Sequence, residues 1–573
     1  MRKLVLSSLF ALSVLTTAGC SEPDPYAFET HIENIRNANA KGVGFSGMKE
    51  LVKTVITSPD NGPRLDEFVQ KVIPVFEEQW DTAPEHQTNM LEMLRDIGRP
   101  EAAGLWSKAL GTLDGSEEGR KRVLIALQGI QRSKATGASD AVLNLFQSLT
   151  KDPSKDKGKA EGEIRRELAR TLGILKDGKA VDALIAALEQ PTEMRPPQIH
   201  RIVAEALGNL RDAKAVEPLV IANFSIPDDQ TDSKNLSNRV KLALNSIGEP
   251  AVPRLIELLT GKEDDIVIKK VVEAGSTLAV VRFTAALMLG SVGSPTAVDA
   301  LIASIPESSC KPVVKEDPKK KKKKKDDDED LDLKAENEQL RNAIVTSLGQ
   351  IGDPKAAAAI CPCTKASVHF EEQFMMTEAL GYVGGEEATR CLIDFVKTAE
   401  SDSETLPKTD QTPLSIRVEA GRFAVMAAGP DQVAAVREAF AANTDPKVVE
   451  GLKQWEPALA LLETCKGDKE CYLKTLKDTG ANWVARENAA VELARIAQGD
   501  AAVAEAIAQA YKVREVDARV TMALMAARVM QGKRCQKCVD ALEDIMKGEK
   551  GSTDISYQKA VLTARDTIAK LAE

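Results

Sequence analysis

The feature that most constrains this chain is a two-helix phrase that keeps returning. An Arg-led apolar helix ends in Leu-Gly, a short turn carries Asp or Pro, and an Ala-, Val- and Leu-rich helix follows. RRELARTLGILKDGKAVDALIAALEQ runs from Arg165 to Gln190. The phrase returns as RIVAEALGNLRDAKAVEPLV from Arg201 and VRFTAALMLGSVGSPTAVDALI from Val281. It returns again as LRNAIVTSLGQIGDPKAAAA from Leu340 and MMTEALGYVGGEEATRCLIDFV from Met375. Gly173 and Gly208 stand 35 residues apart, and Gly349 and Gly381 stand 32 apart. A period in this range predicts a solenoid, where each helix pair buries its apolar face only by stacking on its neighbours. Within one phrase, Leu168, Leu172 and Leu175, then Val181, Leu184, Ile185 and Leu188, keep helical spacing. The expected fold class is therefore all-α: an α-solenoid superhelix of stacked antiparallel helix pairs. Aromatic residues make up 4% of the chain, which suits thin Ala-rich layers better than a thick core.

The phrase resembles HEAT repeats, in particular the short Ala- and Gly-rich subtype of phycobiliprotein lyases, whose pattern is roughly VRxxAAxxLGxxGDPxAVxxLxxxL. Val281, Arg282, Ala285, Ala286, Leu289, Gly290, Gly293, Pro295, Ala297, Val298 and Leu301 match it closely. Leu348, Gly349, Gly352, Asp353 and Pro354 carry the best turn. Weaker copies run through 91–110, 122–149, 238–259, 416–440, 483–510 and 517–546. The resemblance implies a fold and an extended binding surface, with the concave face lined by the second helix of each unit; it implies no particular activity. The recurrent Arg165, Arg282, Arg341 and Arg417 are expected to hydrogen-bond to Asp at neighbouring turns.

Residues 1–20, MRKLVLSSLFALSVLTTAGC, combine a basic start, an apolar run from Leu4 to Leu15 and small residues before Cys20. This resembles a bacterial lipoprotein signal, with Thr17 standing where the lipobox usually has Leu. The resemblance implies cleavage before Cys20, acylation of Cys20 and a membrane anchor. Ser21 after the cysteine points to the outer membrane, facing the periplasm. The expected organisation is then a leader (1–19), a lipid-anchored tether (20–27), divergent helical repeats (28–160) and HEAT-like repeats (161–305). A charged disordered insertion (306–337), further HEAT-like repeats (338–400) and divergent C-terminal repeats (401–573) follow. The insertion sets Lys319–Lys325 directly against Asp326–Asp330, opposite blocks that read as a solvated loop. A net charge of −10 and a pI near 5.4 argue against nucleic acid as a partner.

Eight cysteines remain after Cys20, and an even number in an exported chain reads as disulfides. Cys465 and Cys471 span one inter-helix turn and Cys535 and Cys538 another, so both are candidate local staples. Cys310, Cys361, Cys363 and Cys391 then permit three pairings. Bridges between the ends of neighbouring repeats are favoured, because Cys361 bonded to Cys363 would be strained. A zinc site on those four lacks the usual two-residue knuckle spacing. A redox reading of CQKC lacks a strand–helix context.

Catalytic patterns are absent or incomplete. Gly173 to Ala180 imitates a phosphate-binding loop, but Ala180 replaces the magnesium-holding hydroxyl and no strand precedes it. Gly42 to Gly47 matches GxGxxG and is expected to be a loop between helices. His31, His86, His200 and His369 are scattered, with no metal-type spacing. No enzyme, cofactor or metal is expected. The leading expectation is a non-enzymatic, lipid-anchored scaffold or adaptor that binds another protein of the bacterial cell envelope. The alternatives are a component of a large envelope machine for motility or secretion, and a metal- or redox-active accessory using its cysteines.

Overall fold

The computed structural model describes residues 24–58, 61–151, 159–190, 198–225, 236–261, 264–273, 275–311, 327–367, 369–398, 416–548 and 551–573. These residues form thirty α-helices, joined by single 3-10 turns and loops, and no strand occurs among them. Two compact units divide the chain, residues 1–145 and 146–573.

The first unit holds helix pairs around an aromatic core. Phe28 meets Phe68 edge-on at 5.9 Å, Phe68 meets Phe76 at 6.0 Å, and Phe45 stacks on His86 at 4.4 Å. Gly42 to Gly47 is not a loop but the first turns of the helix Lys41–Thr57. The reason is packing: a Cβ on Gly44 would lie 2.6 Å from the Ile35 backbone nitrogen, so glycine here lets this helix press against Phe28–Arg36.

In the second unit the recurring phrase becomes a recurring pair. Lys159–Leu175 with Val181–Leu188, Gln198–Leu210 with Val216–Ser225, and Leu236–Ile247 with Val252–Thr260 begin the array. Leu278–Val292 with Val298–Ala303, Asp327–Ile351 with Ala357–Ala366, and Phe370–Val383 with Gly385–Thr398 continue it. Ile416–Ala427 with Val433–Ala441, Trp483–Ile496 with Ala501–Ala510, and Val516–Met530 with Gln536–Lys547 follow, and Ile555–Leu571 ends the chain. The weak repeats read from sequence beyond residue 400 are thus helix pairs. The helices Ile266–Glu273, Pro446–Lys453, Glu456–Cys465 and Lys469–Lys477 are additions to the pattern. At the two edges of the charged insertion, Glu307–Cys310 forms a 3-10 turn and the helix beginning at Asp327 runs through 327–337. The block Lys319–Lys325 lies outside the described residues.

The Asp-bearing turn works the same way in three copies. A residue at positive φ ends the first helix: Gly293 (78°), Gly352 (77°), and in the earlier copies Lys176 (54°) and Arg211 (58°). The carboxylates of Asp177, Asp212 and Asp353 then accept the backbone N–H two residues on, at 2.9–3.0 Å. One 3-10 turn follows and ends on a fully buried alanine, Ala180, Ala215 or Ala356, which starts the second helix. Such a cap satisfies donors that would otherwise lack a partner at the helix start.

The Leu-Gly glycine has a different task. Successive first helices lie side by side, and an added Cβ on Gly173, Gly208 or Gly349 would sit 2.6–2.8 Å from the Cα of Ala206, Ala243 or Ala379 on the next one. Ordinary carbon contacts are roughly 3.5–4.0 Å. Glycine against alanine therefore sets the spacing of the inner layer.

Candidate functional site: an inner helix layer covered by the chain itself

Among the described residues, the recurrent arginines are seen on partners other than Asp at a neighbouring turn. Each instead binds the segment that follows a second helix. Arg165 donates to the Gln190 side chain at 2.7 Å and Arg282 to the Gly261 carbonyl at 2.9 Å. Arg341 donates to the Ser309 carbonyl at 2.6 Å and pairs with Glu372 at 2.7 Å, and Arg417 reaches Asn443 at 3.5 Å. A second helix ends in carbonyls without intrahelical partners and in the negative end of its dipole, so cations are favoured there. These arginines tie repeats together rather than forming an anion-binding ladder.

A second set of cations comes from the C-terminal helices and was not nominated from sequence. Arg528 donates to the carbonyls of Gly349, Gln350 and Tyr382, the last at 2.7 Å. Arg495 donates to Met426 (2.6 Å) and Ala428 (3.4 Å). Arg534 donates to Ser246 at 2.9 Å and to the Lys570 carbonyl. In return, Lys176 and Arg211, the residues at positive φ, donate to the carbonyls of Glu573 and Ala572. So the carbonyl end of one first helix after another is met by a cation, much of it from 140 or more residues away. Burial pushes the Arg528 guanidinium down to about 9, and the ring of carbonyls compensates by accepting its N–H groups. Gly352 and Gly384 make room: side chains there would collide with the guanidinium groups of Arg528 and Arg495.

Three further ties complete this cover. Lys559 pairs with Glu378 at 2.8 Å, Lys241 with Asp566 at 2.6 Å, and Tyr382 hydroxyl meets Thr521 hydroxyl at 3.2 Å. Deeper in, Arg422 grips Glu487 with two N–H groups, at 2.6 and 3.3 Å, and Thr521 donates to the same carboxylate at 2.6 Å. The Arg422 guanidinium lies within 6 Å of both Trp455 and Trp483 ring centres. Coulombic attraction to Glu487 raises Arg422 further above its ordinary range although burial opposes it.

The expectation that second helices line the binding face is therefore corrected. First helices form the inner layer of this unit, and Trp483–Ile496, Val516–Met530 and Ile555–Leu571 of the same chain lie against them. A sequence signal for this existed: VDARVTMALMAARVM has no continuous polar stripe, as a helix covered on all sides requires.

The eight cysteines lie in four disulfide pairs: Cys310–Cys363, Cys361–Cys391, Cys465–Cys471 and Cys535–Cys538. The first links the turn after one helix pair to the second helix of the next, and the second joins two successive second helices. Cys465 ends one helix and Cys471 opens the next turn of structure; Cys535 caps the helix that contains Cys538. Cys20 lies outside the described residues. Among the described residues no group of three or more His, Cys, Asp or Glu side chains is placed to hold a metal ion. No single helix among them is long and apolar enough to cross a membrane.

Stacked two-helix repeats with capped Asp/Pro turns and glycine-spaced first helices define a HEAT-type α-solenoid. The family model described as PBS lyase HEAT-like repeat matches residues 164–190 and 340–365. No curated protein sequence matches the chain. Among solved structures, human deoxyhypusine hydroxylase in complex with glycerol is 16% identical, covering 57% of this chain and 96% of its own, with a TM-score of 0.19. Kap121p bound to Nup53p is 11% identical, covering 94% of this chain and 70% of its own, with a TM-score of 0.37. Likeness at this level bears on neither activity nor partner.

Proposed function

We propose that this chain is a non-enzymatic, lipid-anchored HEAT-repeat scaffold that binds another protein of the bacterial cell envelope. The observation that carries the reading is where the chain spends its polar chemistry. Its buried arginines and carboxylates are committed to tying repeats together, which leaves an extended surface as the functional element. Because the inner layer is covered by the C-terminal helices, the partner reads the exposed sides of the second helices, where Asp182, Glu257, Asp299 and Arg390 face solvent. The leader that precedes Cys20 supports anchoring, and eight further cysteines lying in pairs support an oxidising compartment. The outer membrane, facing the periplasm, is the proposed location.

The test is in-cell crosslinking and antibody capture, comparing wild type with Cys20→Ala. A discrete envelope protein recovered with wild type and lost from the variant is expected. Equal absence of any specific protein from both forms refutes the scaffold reading.

A further inference from the structure

An open cleft of about 580 Å³ lies between Gln198–Leu210 and Leu236–Ile247 on one side and Gln536–Lys547 and Ile555–Leu571 on the other. Small-molecule sites are typically about 300–1,000 Å³, mostly apolar, with a few placed polar groups. This cleft has that composition. Leu242, Met546 and Ile568 give it an apolar lining, and Ala569 and Ala572 are small enough to leave the space open.

Its charges are unequally committed. Arg239 pairs with Glu205 at 3.2 Å and Lys547 with Glu543 at 3.6 Å. Arg565 also borders the cleft, is exposed, and has no acidic partner among the described residues. Lys547 also meets Asp544 at 3.5 Å, so Arg239 and Lys547 are both committed and Arg565 is the cation left beside apolar surface. An occupant complementary to this arrangement carries one negative group and a hydrocarbon body.

We propose that the cleft binds a single-chain anionic amphiphile, its tail along Leu242, Met546 and Ile568 and its head on Arg565. The inference stands on the cleft alone and does not rest on the envelope scaffold reading. Both long walls are helices whose ends are held by Arg534 and Arg211, so the site is largely formed before binding.

The test is photolabelling of the full chain with a diazirine-bearing palmitate, with labelled peptides mapped by mass spectrometry. Label concentrated in 536–547 and 565–573 is expected. Arg565→Glu reverses the charge that meets the head group and Ala572→Phe fills the space; each should reduce labelling at least tenfold while leaving helical circular dichroism unchanged. Competition by unlabelled palmitate would assign a carboxylate head, and competition by lysophosphatidate alone a phosphate head; either supports the site. Label spread over the surface, or labelling of the cleft unaffected by both variants, overturns it.

Discussion

Replacing Gly208 with alanine tests the spacing of the inner layer most directly. In an isolated helix the change is favourable by roughly 1 kcal/mol, because alanine is the better helix former. Here the new Cβ would stand 2.6 Å from the Ala243 Cα and 2.9 Å from its Cβ. Contact at roughly 3.5–4.0 Å requires the two first helices to part by about 1 Å. No rotamer can absorb this, because the obstructing atom is backbone. Overpacking of a filled core costs about 1–3 kcal/mol, and a backbone clash belongs at the upper end. Against the propensity gain, the net loss should be about 1–2 kcal/mol. Gly178→Ala is the matched control: nothing lies within 4 Å of its Cβ position, so the same chemical change should stabilise by about 0.4–1 kcal/mol through the unfolded chain. Urea titration followed by far-ultraviolet circular dichroism reads both variants. A Gly208→Ala midpoint at or above that of Gly178→Ala would refute the idea that the Leu-Gly glycine exists for close approach.

Three other expectations concern the second unit. Glu487→Ala should lower stability by about 3 kcal/mol, since it leaves the buried Arg422 with only the exposed Asp517 at 3.7 Å; in Arg422→Met/Glu487→Leu much of that loss should return, and chemical denaturation of the two variants distinguishes the cases. Burial pushes the Glu419 and Glu492 carboxyls upward, with Asp517 and Glu487 adding to the effect on Glu419 and the nearby Arg422 and Arg495 opposing it. The folded state then favours their protonated forms, so their contribution is complete below the ordinary value of 4.5 and is lost as pH rises through the raised value. A urea midpoint that falls as pH rises above 4.5, and falls less in Glu419→Gln/Glu492→Gln, is the expected result. Finally, Cys310–Cys363 closes a separation of 53 residues and Cys465–Cys471 one of 6. Loop-closure entropy then assigns about 4 kcal/mol to the first and about 2 kcal/mol to the second. Paired serine variants should show that order in thermal unfolding.

Much of the architecture was legible because its causes are local. The 32–35-residue recurrence, the Asp or Pro turn and the apolar spacing each act within a few residues, so a helix-pair array followed from them. The turn's physical content was legible too: Asp353-Pro354 caps a 3-10 turn as its residue types require. Gly42 to Gly47 was misread, because Gly-rich spacing usually signals a loop while here it signals close packing of two helices.

What only the tertiary structure decided is which face of the repeats remains free. Arg528 meets the carbonyls of Gly349 and Gln350 across 178–179 residues, and Arg211 meets Ala572 across 361. A carbonyl at a helix end accepts from any cation that arrives, so neither partner bears a mark of the other in sequence. The sequence by itself determined that the chain builds stacked helix pairs, since apolar period and caps compel each pair. The covering of its inner layer by its own last helices depends on the small rotation from one repeat to the next. The contacts that make this cover join residues 146–361 positions apart, so the cover exists only once the whole array is stacked.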